Sequence, residues 1–326
     1  MATYKAIKGL AIRTVDGDPS TLITGDIWYN SSARTLKGAK LAAGAWSSGG
    51  NMNTSTQEGG GNGAAQTAAW VAGGQLGPAD GGGLNLNNEH YDGTSWTEQA
   101  NLNASRKTPS GHGTPGASLF VGGEGDSAAS EEFNGSAWAE GNDMNQGRSI
   151  MSMSGTQTAA LNAGGWSEDA YQEEVESYNG TSWSEEGDIN TTRGNAAGCG
   201  IQTAALCMSG ATAPLTVNVE QYDGSSWTEI ANVNTARTSV PVGFGTVTAA
   251  IFCAGGEPSP SAKTESWDGT SWTEVADLPA GYRFSQGAGT ATAGLRMSGA
   301  NPTPAQSAVT DEWTGPAAAA VTFTSS

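Results

Sequence analysis

Apolar, polar and turn-forming positions recur along this chain in one repeated unit. Its clearest element is an aromatic residue followed by Asp or Asn, Gly, two small residues and Trp. Full copies are YDGTSW (91–96), FNGSAW (133–138), YNGTSW (178–183), YDGSSW (222–227) and WDGTSW (267–272), and a sixth aromatic-Xaa-Gly at 313–315 lacks the closing Trp. The first aromatics lie 42, 45, 44, 45 and 46 residues apart. An Asp-Gly or Asn-Gly pair between aromatic positions predicts a β-hairpin in every unit.

The rest of the unit predicts further strands. Each unit opens with Asp or Asn, an apolar residue and then Asn or Pro, which is a turn signal around one buried anchor. The six anchors are Met52, Leu102, Met144, Ile189, Val233 and Leu278. Small residues follow and lead into a TAA-type segment, such as QTAAWVAGG or QTAALCMSG, that ends at Gly-Gly or Ser-Gly. Because small side chains suit a crowded axis, we expect these segments to be inner strands.

Counting the units predicts a closed ring. Six anchors and six aromatic-Gly turns are present, and the one missing Trp is supplied by Trp46, directly before the first anchor. This period is typical of four-stranded propeller blades. We therefore predict an all-β chain with a six-bladed β-propeller over residues 45–316, an N-terminal docking segment at 1–44 and a tail or closing strand at 317–326. The C-terminal PAAAAVTFTSS is the alternative to the Trp46 strand for completing the last blade.

Composition and charge narrow the classes of function. The 326 residues include 11 Trp and 37% hydrophobic residues, which is enough for a sizeable core. Residues 1–45 carry six basic and three acidic residues, a net charge of +3, whereas the remainder carries eight basic and 29 acidic ones, a net charge of −21. An acidic body argues against nucleic acid as a partner. No apolar run reaches the roughly 18 residues of a membrane helix, so no membrane insertion is expected.

Two charged columns recur with the repeat. An acidic residue lies two positions before the aromatic of every turn, on the same strand face: Glu89, Glu131, Glu176, Glu220, Glu265 and Asp311. An arginine recurs near the start of five units: Arg106, Arg148, Arg193, Arg237 and Arg283. Since a repeated residue usually has a repeated structural role, we expect Arg–carboxylate pairs within or between blades. Binding of an ion or a charged sugar by these columns is the alternative.

Aromatic residues outside the repeat are the candidates for binding. Trp166 and Tyr171 lie in WSEDAYQEE, predicted to be a loop, and Trp28 and Tyr29 lie in the N-terminal segment. Exposed aromatic side chains can stack on a sugar ring or anchor a neighbouring subunit. The alternative for Trp166 and Tyr171 is that they cover their own blade.

Enzymatic chemistry finds little support in the sequence. The two histidines, His90 and His112, lie in separate units, and the three cysteines lack the spacing of a zinc site or a disulfide framework. No nucleophile elbow or phosphate-binding loop is present. We predict no catalytic residue, no metal and no cofactor, with a two-carboxylate glycosidase as the enzymatic alternative.

The Gly-Gly pair, the Tyr and the Trp of each unit resemble kelch repeats over about residues 45–316. That resemblance implies a kelch-like propeller with six blades. The DGTSW turns are also similar to sialidase Asp-boxes, although here the Asp directly precedes the Gly. TQTAAL-like strands, DGTSWTE-type hairpins and the leader GDIWYNSSARTLK together resemble kelch-like structural proteins of marine tailed bacteriophages, of the cyanophage and pelagiphage kind.

The phage resemblance implies a virion structural protein in several copies per particle, associated with the tail as a fibre, nozzle or adaptor. It would dock on other virion proteins through its N-terminal segment, and a host-surface glycan is a second expected partner. Its location would be the virion, assembled in the host cytoplasm and released by lysis. Three alternatives stay open: a capsid-surface decoration protein, a free carbohydrate-binding propeller and a polysaccharide depolymerase.

Overall fold

The computed structural model describes residues 12–212, 214–256, 259–301 and 306–323. These residues form thirty strands and one short 3₁₀ helix, Pro78–Asp80. The chain divides into two compact units, Met1–Gly44 with Gly315–Ser326, and Ala45–Thr314. Lys5 and Lys8, which contribute to the predicted basic segment, lie outside the described residues.

The strands follow one another at short intervals along the chain. The first three are β1 (Arg13–Val15), β2 (Ile27–Asn30) and β3 (Thr35–Ala42). The repeats contain β4 (Ala45–Ser48), β5 (Thr56–Gln57), β6 (Gly60–Ala65), β7 (Ala68–Ala72), β8 (Gln75–Leu76), β9 (Asn88–Tyr91), β10 (Trp96–Glu98), β11 (Ser110–Thr114), β12 (Ala117–Val121), β13 (Ser130–Phe133), β14 (Trp138–Glu140), β15 (Ser152–Thr156), β16 (Ala159–Ser167), β17 (Ala170–Tyr178), β18 (Trp183–Glu185), β19 (Ala197–Ile201), β20 (Ala204–Met208), β21 (Val219–Tyr222), β22 (Trp227–Ile230), β23 (Val242–Thr246), β24 (Ala249–Cys253), β25 (Thr264–Trp267), β26 (Trp272–Glu274), β27 (Gln286–Thr290), β28 (Ala293–Met297) and β29 (Thr310–Thr314). The last strand is β30 (Ala317–Thr322).

Residues 45–314 form six four-stranded antiparallel sheets, together with the two-stranded pair β5–β8. Their orders are β6-β7-β9-β10, β11-β12-β13-β14, β15-β16-β17-β18, β19-β20-β21-β22, β23-β24-β25-β26 and β27-β28-β29-β4. The TAA-type segments are the second strand of each sheet, one position further out than predicted. The glycine-rich strand before them is first, because only glycine fits there: a Cβ on Gly111 would lie 2.3 Å from the Gly61 nitrogen.

The first strands of the six sheets contact one another in chain order, and β27 of the last sheet also contacts β6 of the first. The loops that precede these strands are linked in the same way. Thr108 N donates to Glu58 O at 2.6 Å, Ile150 N to Thr108 O at 3.0 Å, and Glu58 N to Phe284 O of the last unit at 3.3 Å. Asn195 N likewise donates to Ile150 O at 2.9 Å and Phe284 N to Ser239 O at 2.7 Å, so backbone hydrogen bonds join most of these loops to a neighbour, including the first to the last.

The strand around Trp46 completes the last sheet. Strand β4 pairs with β29 in a register that places Trp46 opposite Trp313. The C-terminal strand β30 does not complete this sheet. It is hydrogen-bonded to β3, and both strands lie outside residues 45–314.

The core of residues 45–314 lies between adjacent sheets. All six predicted anchors are at most 5% exposed. One cluster shows the arrangement: Leu206 and Met208 of one sheet pack with Phe252 and Trp272 of the next. Tyr–Trp pairs across the hairpins, such as Tyr178 and Trp183 with ring centroids 4.9 Å apart, close the outer side of each cluster.

The terminal unit has a sheet of its own, in the order β1-β2-β3-β30. Strands β1 and β2 are parallel, and the other neighbours are antiparallel. Trp28 is 2% exposed and donates its Nε1 to Asp18, which also accepts from Lys37 Nζ at 2.7 Å. In the described part of the chain, no helix is long and apolar enough to cross a membrane.

Candidate functional site

Four units hold an ion pair between the predicted arginine and the predicted glutamate. The pairs are Arg106–Glu131, Arg148–Glu176, Arg193–Glu220 and Arg237–Glu265. In the second pair Nη2 lies 2.9 Å from Oε1, and neither side chain is more than 1% exposed. The Arg148 guanidinium also donates to the Gly164 carbonyl oxygen at 3.0 Å. These charges are therefore structural links between a loop and the strands of its sheet.

The glutamate of this column has a second partner, the Asn that follows the apolar anchor. Asn145 donates its backbone N–H and its Nδ2 to Glu176 Oε2, at 2.7 and 3.0 Å. The same two bonds join Asn53 to Glu89, Asn103 to Glu131, Asn190 to Glu220 and Asn234 to Glu265. The sequence pattern predicts a turn at this Asn and does not indicate its bond to the glutamate.

The first unit has the glutamate without an arginine, so the predicted pairing of Glu89 is wrong. Glu89 is 2% exposed and accepts hydrogen bonds from Asn53 and Thr54. Thr56 occupies the position, three residues after Asn53, that arginine takes in four other units. Burial raises the pKa of the Glu89 carboxyl, against the hydrogen bonds that lower it.

The last unit uses a different arginine from the predicted one. Arg296 of β28 pairs with Asp311, with Nε donating to Oδ2 at 3.0 Å. Its guanidinium lies 3.6 Å from the ring centroid of Tyr282, the residue at the usual arginine position. The predicted partner, Arg283, is wrong: it is one position further along the chain and lies over the Phe284 ring at 5.3 Å.

The third unit carries an extended hairpin where a loop was predicted. Strands β16 and β17 are nine residues long each and are joined by Glu168 and Asp169. Both turn residues have positive φ, 50° and 60°, which a type I′ turn requires. Trp166 and Tyr171 are paired strand residues whose rings meet edge to face, with centroids 4.8 Å apart. A strand pair fixes their orientation more firmly than a loop would.

Trp166 and Tyr171 line a cleft of about 540 Å³. Its remaining walls are the linked loops that precede the first strands, together with five charged residues: Glu58, Lys107, Glu124, Asp126 and Asp169. The loop residues of this wall are left-handed although none is glycine: Glu58, Thr108, Ile150, Asn195 and Phe284, with φ between 50° and 58°. Such conformations cost of order 1–3 kcal/mol each and cluster at binding sites.

The charges in the cleft are only partly compensated. Lys107 Nζ lies 3.1 Å from Glu124 Oε1, and Asp126 Oδ2 accepts from the Glu168 backbone N–H at 3.2 Å. Glu58 Oε2 is buried and has no hydrogen-bond partner among the described residues. Burial is the main cause that raises the pKa of the Glu58 carboxyl, and Lys107 opposes it. The cleft thus combines aromatic rings with unsatisfied negative charge.

The two aromatic residues of the terminal unit have different environments. Trp28 was a predicted candidate for anchoring a partner, but it is only 2% exposed and Asp18 accepts its Nε1–H. Tyr29, next to it on β2, points to the opposite face and is 38% exposed. Only Tyr29 of this pair is accessible for contact with a partner.

The remaining chemically active side chains are buried in the sheets. His112 is fully buried, with its ring nitrogens 3.0 Å from Ser154 O and 2.9 Å from Asn162 Oδ1, and burial lowers its pKa to about 4. Burial raises the pKa of the Cys199 and Cys253 thiols to about 12. Among the described residues no group of three or more His, Cys, Asp or Glu side chains could hold a metal ion.

The fold defines an all-β chain built from propeller-like four-stranded sheets. A similar solved structure is that of YjhT, which has a TM-score of 0.65 to this chain at 14% sequence identity, over 82% of this chain and 99% of YjhT. At such low sequence identity, the structural similarity shows a shared fold alone. No protein-family model and no curated protein matches the chain.

Proposed function

We propose that the six sheets of residues 45–314 close into a six-bladed, kelch-like β-propeller. The contact of β27 with β6 and the hydrogen bond from Glu58 to Phe284 support closure, because both join the last unit to the first. Gln66 adds a third link, since its Nε2 donates to the Gly294 and Trp313 carbonyl oxygens, each at 3.0 Å. Pairing of β4 with β29 leaves the last sheet with four strands like the others.

We propose that this propeller is a recognition module and not an enzyme. The observation that carries the proposal is the extended hairpin of the third unit, which departs from the repeat and supplies Trp166 and Tyr171 to the cleft. The repeated carboxylates support a structural role for that column, because five of the six are engaged in buried ion pairs. What departs from the scaffold is the better candidate for function.

We further propose that the protein is a structural component of a bacteriophage virion, associated with the tail and present in several copies. The resemblance to kelch-like phage proteins supports this assignment. So does the terminal unit, which has its own sheet and exposes Ile23, Ile27, Tyr29 and Leu41. Exposed apolar side chains on a separate unit suit attachment to another virion protein. The cleft would then face a host-surface glycan.

Two measurements test this proposal. Quantitative mass spectrometry of purified particles should give a fixed number of copies, a multiple of three or six for a tail component; hundreds of copies would indicate capsid decoration instead. Particles carrying Trp166→Ala should adsorb less well to host cells, with little change in the thermal stability of the protein. If the protein is abundant in the lysate and missing from particles, the virion assignment is wrong and a free lectin or depolymerase takes its place.

A further inference from the structure

The cleft beside the extended hairpin has an excess of negative charge. Four carboxylates line it, those of Glu58, Glu124, Asp126 and Asp169, against the single ammonium group of Lys107. Lys107 is already paired with Glu124 at 3.1 Å. The one cationic side chain that lines the cleft is therefore paired with one of its four carboxylates, and the other three have no cation within the lining.

Glu58 is the carboxylate that most lacks a partner. Its Oε2 is buried, and no group among the described residues donates a hydrogen bond to it. Arg283 is near enough to lower the pKa of Glu58 by its charge, but its guanidinium lies over the Phe284 ring, and burial remains the larger effect on Glu58. A buried charge without a hydrogen-bonded partner is costly. Because Glu58 lines the cleft, a ligand that brings a positive charge beside its carboxylate would offset this cost.

The aromatic pair adds a second requirement for the ligand. Trp166 and Tyr171 are half-buried residues, and both line the cleft. An aromatic face attracts both a cation and the C–H face of a sugar ring. Neutral polar side chains complete the lining, those of Thr108, Ser149 and Asn195, which can exchange hydrogen bonds with hydroxyl groups. The volume of about 540 Å³ lies in the range of small-molecule sites.

We propose that this cleft binds an amino sugar, a pyranose with a free ammonium group, whose ring lies against Trp166 and whose ammonium group is held by Glu58. This inference rests on the proposed recognition function and names the class of its ligand. A pyranose satisfies both requirements at once, because its hydroxyl groups match the neutral lining and its ammonium group matches the excess of carboxylates.

Isothermal titration of the full chain with two ligands tests the proposal. One is the β-1,4-linked trimer of glucosamine, at a mildly acidic pH at which its amines are protonated, and the other is the same trimer with every amine acetylated. The charged trimer should bind roughly tenfold more tightly, since a charge-assisted hydrogen bond is worth about 1.5–3 kcal/mol. Glu58→Gln should remove this preference, so that the two trimers bind with similar affinity. Glu98→Gln, at an exposed carboxylate of the outermost strand β10, is the matched control and should change neither affinity.

Trp166→Ala should weaken both trimers, and Tyr171→Ala replaces it if melting shows that the first variant does not fold. Equal affinity of the wild-type protein for the two trimers would overturn the amino-sugar inference and leave the recognition function standing. Binding of trilysine in place of the charged trimer would also overturn it and would indicate a basic protein segment as the ligand. If neither trimer binds, the inference is wrong, and the adsorption of Trp166→Ala particles still tests the recognition function independently.

Discussion

At the scale of single residues, the Arg148–Glu176 pair shows how much this fold depends on buried charge. Neither side chain is more than 1% exposed, so both charges have lost their water. Their mutual attraction and the hydrogen bonds from Asn145 and to Gly164 offset that desolvation. An ion pair of this kind contributes little net stability as a pair, but removal of one partner leaves the other charge uncompensated.

Arg148→Met should therefore lower the free energy of unfolding by about 3–5 kcal/mol, because it leaves the Glu176 carboxylate buried without its cation. Urea unfolding followed by circular dichroism measures the change. The double variant Arg148→Met with Glu176→Leu should recover a large part of the loss. Arg283→Met is the control, since Arg283 has no carboxylate partner among the ion pairs of the described residues, and a loss as large as that of Arg148→Met would contradict the assigned pairing.

His90 gives the protein a pH dependence with a definite sign. Burial lowers its pKa from 6.5 to about 4, and its ring packs edge-on against Phe133 at 5.4 Å. Between pH 6.5 and about 4 the unfolded chain binds the His90 proton more readily than the folded one, so folding stability falls as the pH falls through this window. Lowering the pH from 7 to 4.5 should thus reduce the melting temperature.

The variant His90→Phe isolates this contribution. Its melting temperature should fall less than that of the wild-type protein over the same change in pH, because the carboxylates and His112 titrate in both proteins. Differential scanning calorimetry at several pH values measures the two slopes. Parallel slopes would show that His90 is not desolvated in the folded state.

At the scale of the elements, the repeat made most strands and their order predictable. Hairpins at Asp-Gly and Asn-Gly pairs follow from local backbone geometry, and the buried anchors follow from one apolar residue between turn formers. The position of the TAA-type strands did not follow from residue size alone. The first strand contains glycines, such as Gly61 and Gly111, where neighbouring backbones leave no room for a Cβ, so the alanine-rich strand comes second.

The positions at which one unit departs from the repeated pattern were predictable only in part. Position counting from the anchors places Tyr282, not Arg283, at the arginine position of the last unit. Arg296 is the one charged residue in the six TAA-type strands, and this unusual position in the sequence marks it as the partner of a buried carboxylate. The burial of Trp28 could not be deduced from the sequence, because only the folded chain shows that Asp18, ten residues earlier, accepts its Nε1–H. The cleft likewise combines residues from several units, whose approach only the folded chain shows.

At the scale of the whole molecule, the last sheet is built from both ends of residues 45–314. Strand β4 comes from the start of this segment, and strands β27, β28 and β29 come from its end. An open array of repeats would lose stability locally when one repeat is damaged, because each repeat contacts only its neighbours. In a closed ring the same damage opens the circle and exposes the faces of two sheets.

Replacement of Trp46 distinguishes a closed ring from an open array of repeats. Its ring packs against Trp313 with centroids 5.4 Å apart, and its Nε1 donates to Thr264 Oγ1 of the neighbouring sheet at 3.1 Å. Trp46→Ala should lower the free energy of unfolding by about 3 kcal/mol. If the six sheets close into a ring, hydrogen exchange should speed up in all six, because opening the ring is a global event. Leu41→Ala is the control. Leu41 is 60% exposed in the terminal unit, so this variant should leave hydrogen exchange in the six sheets unchanged.

Faster hydrogen exchange confined to β27, β28, β29 and β4 would contradict the closed ring. It would indicate an open array, in which Trp46 stabilises only the sheet that it completes.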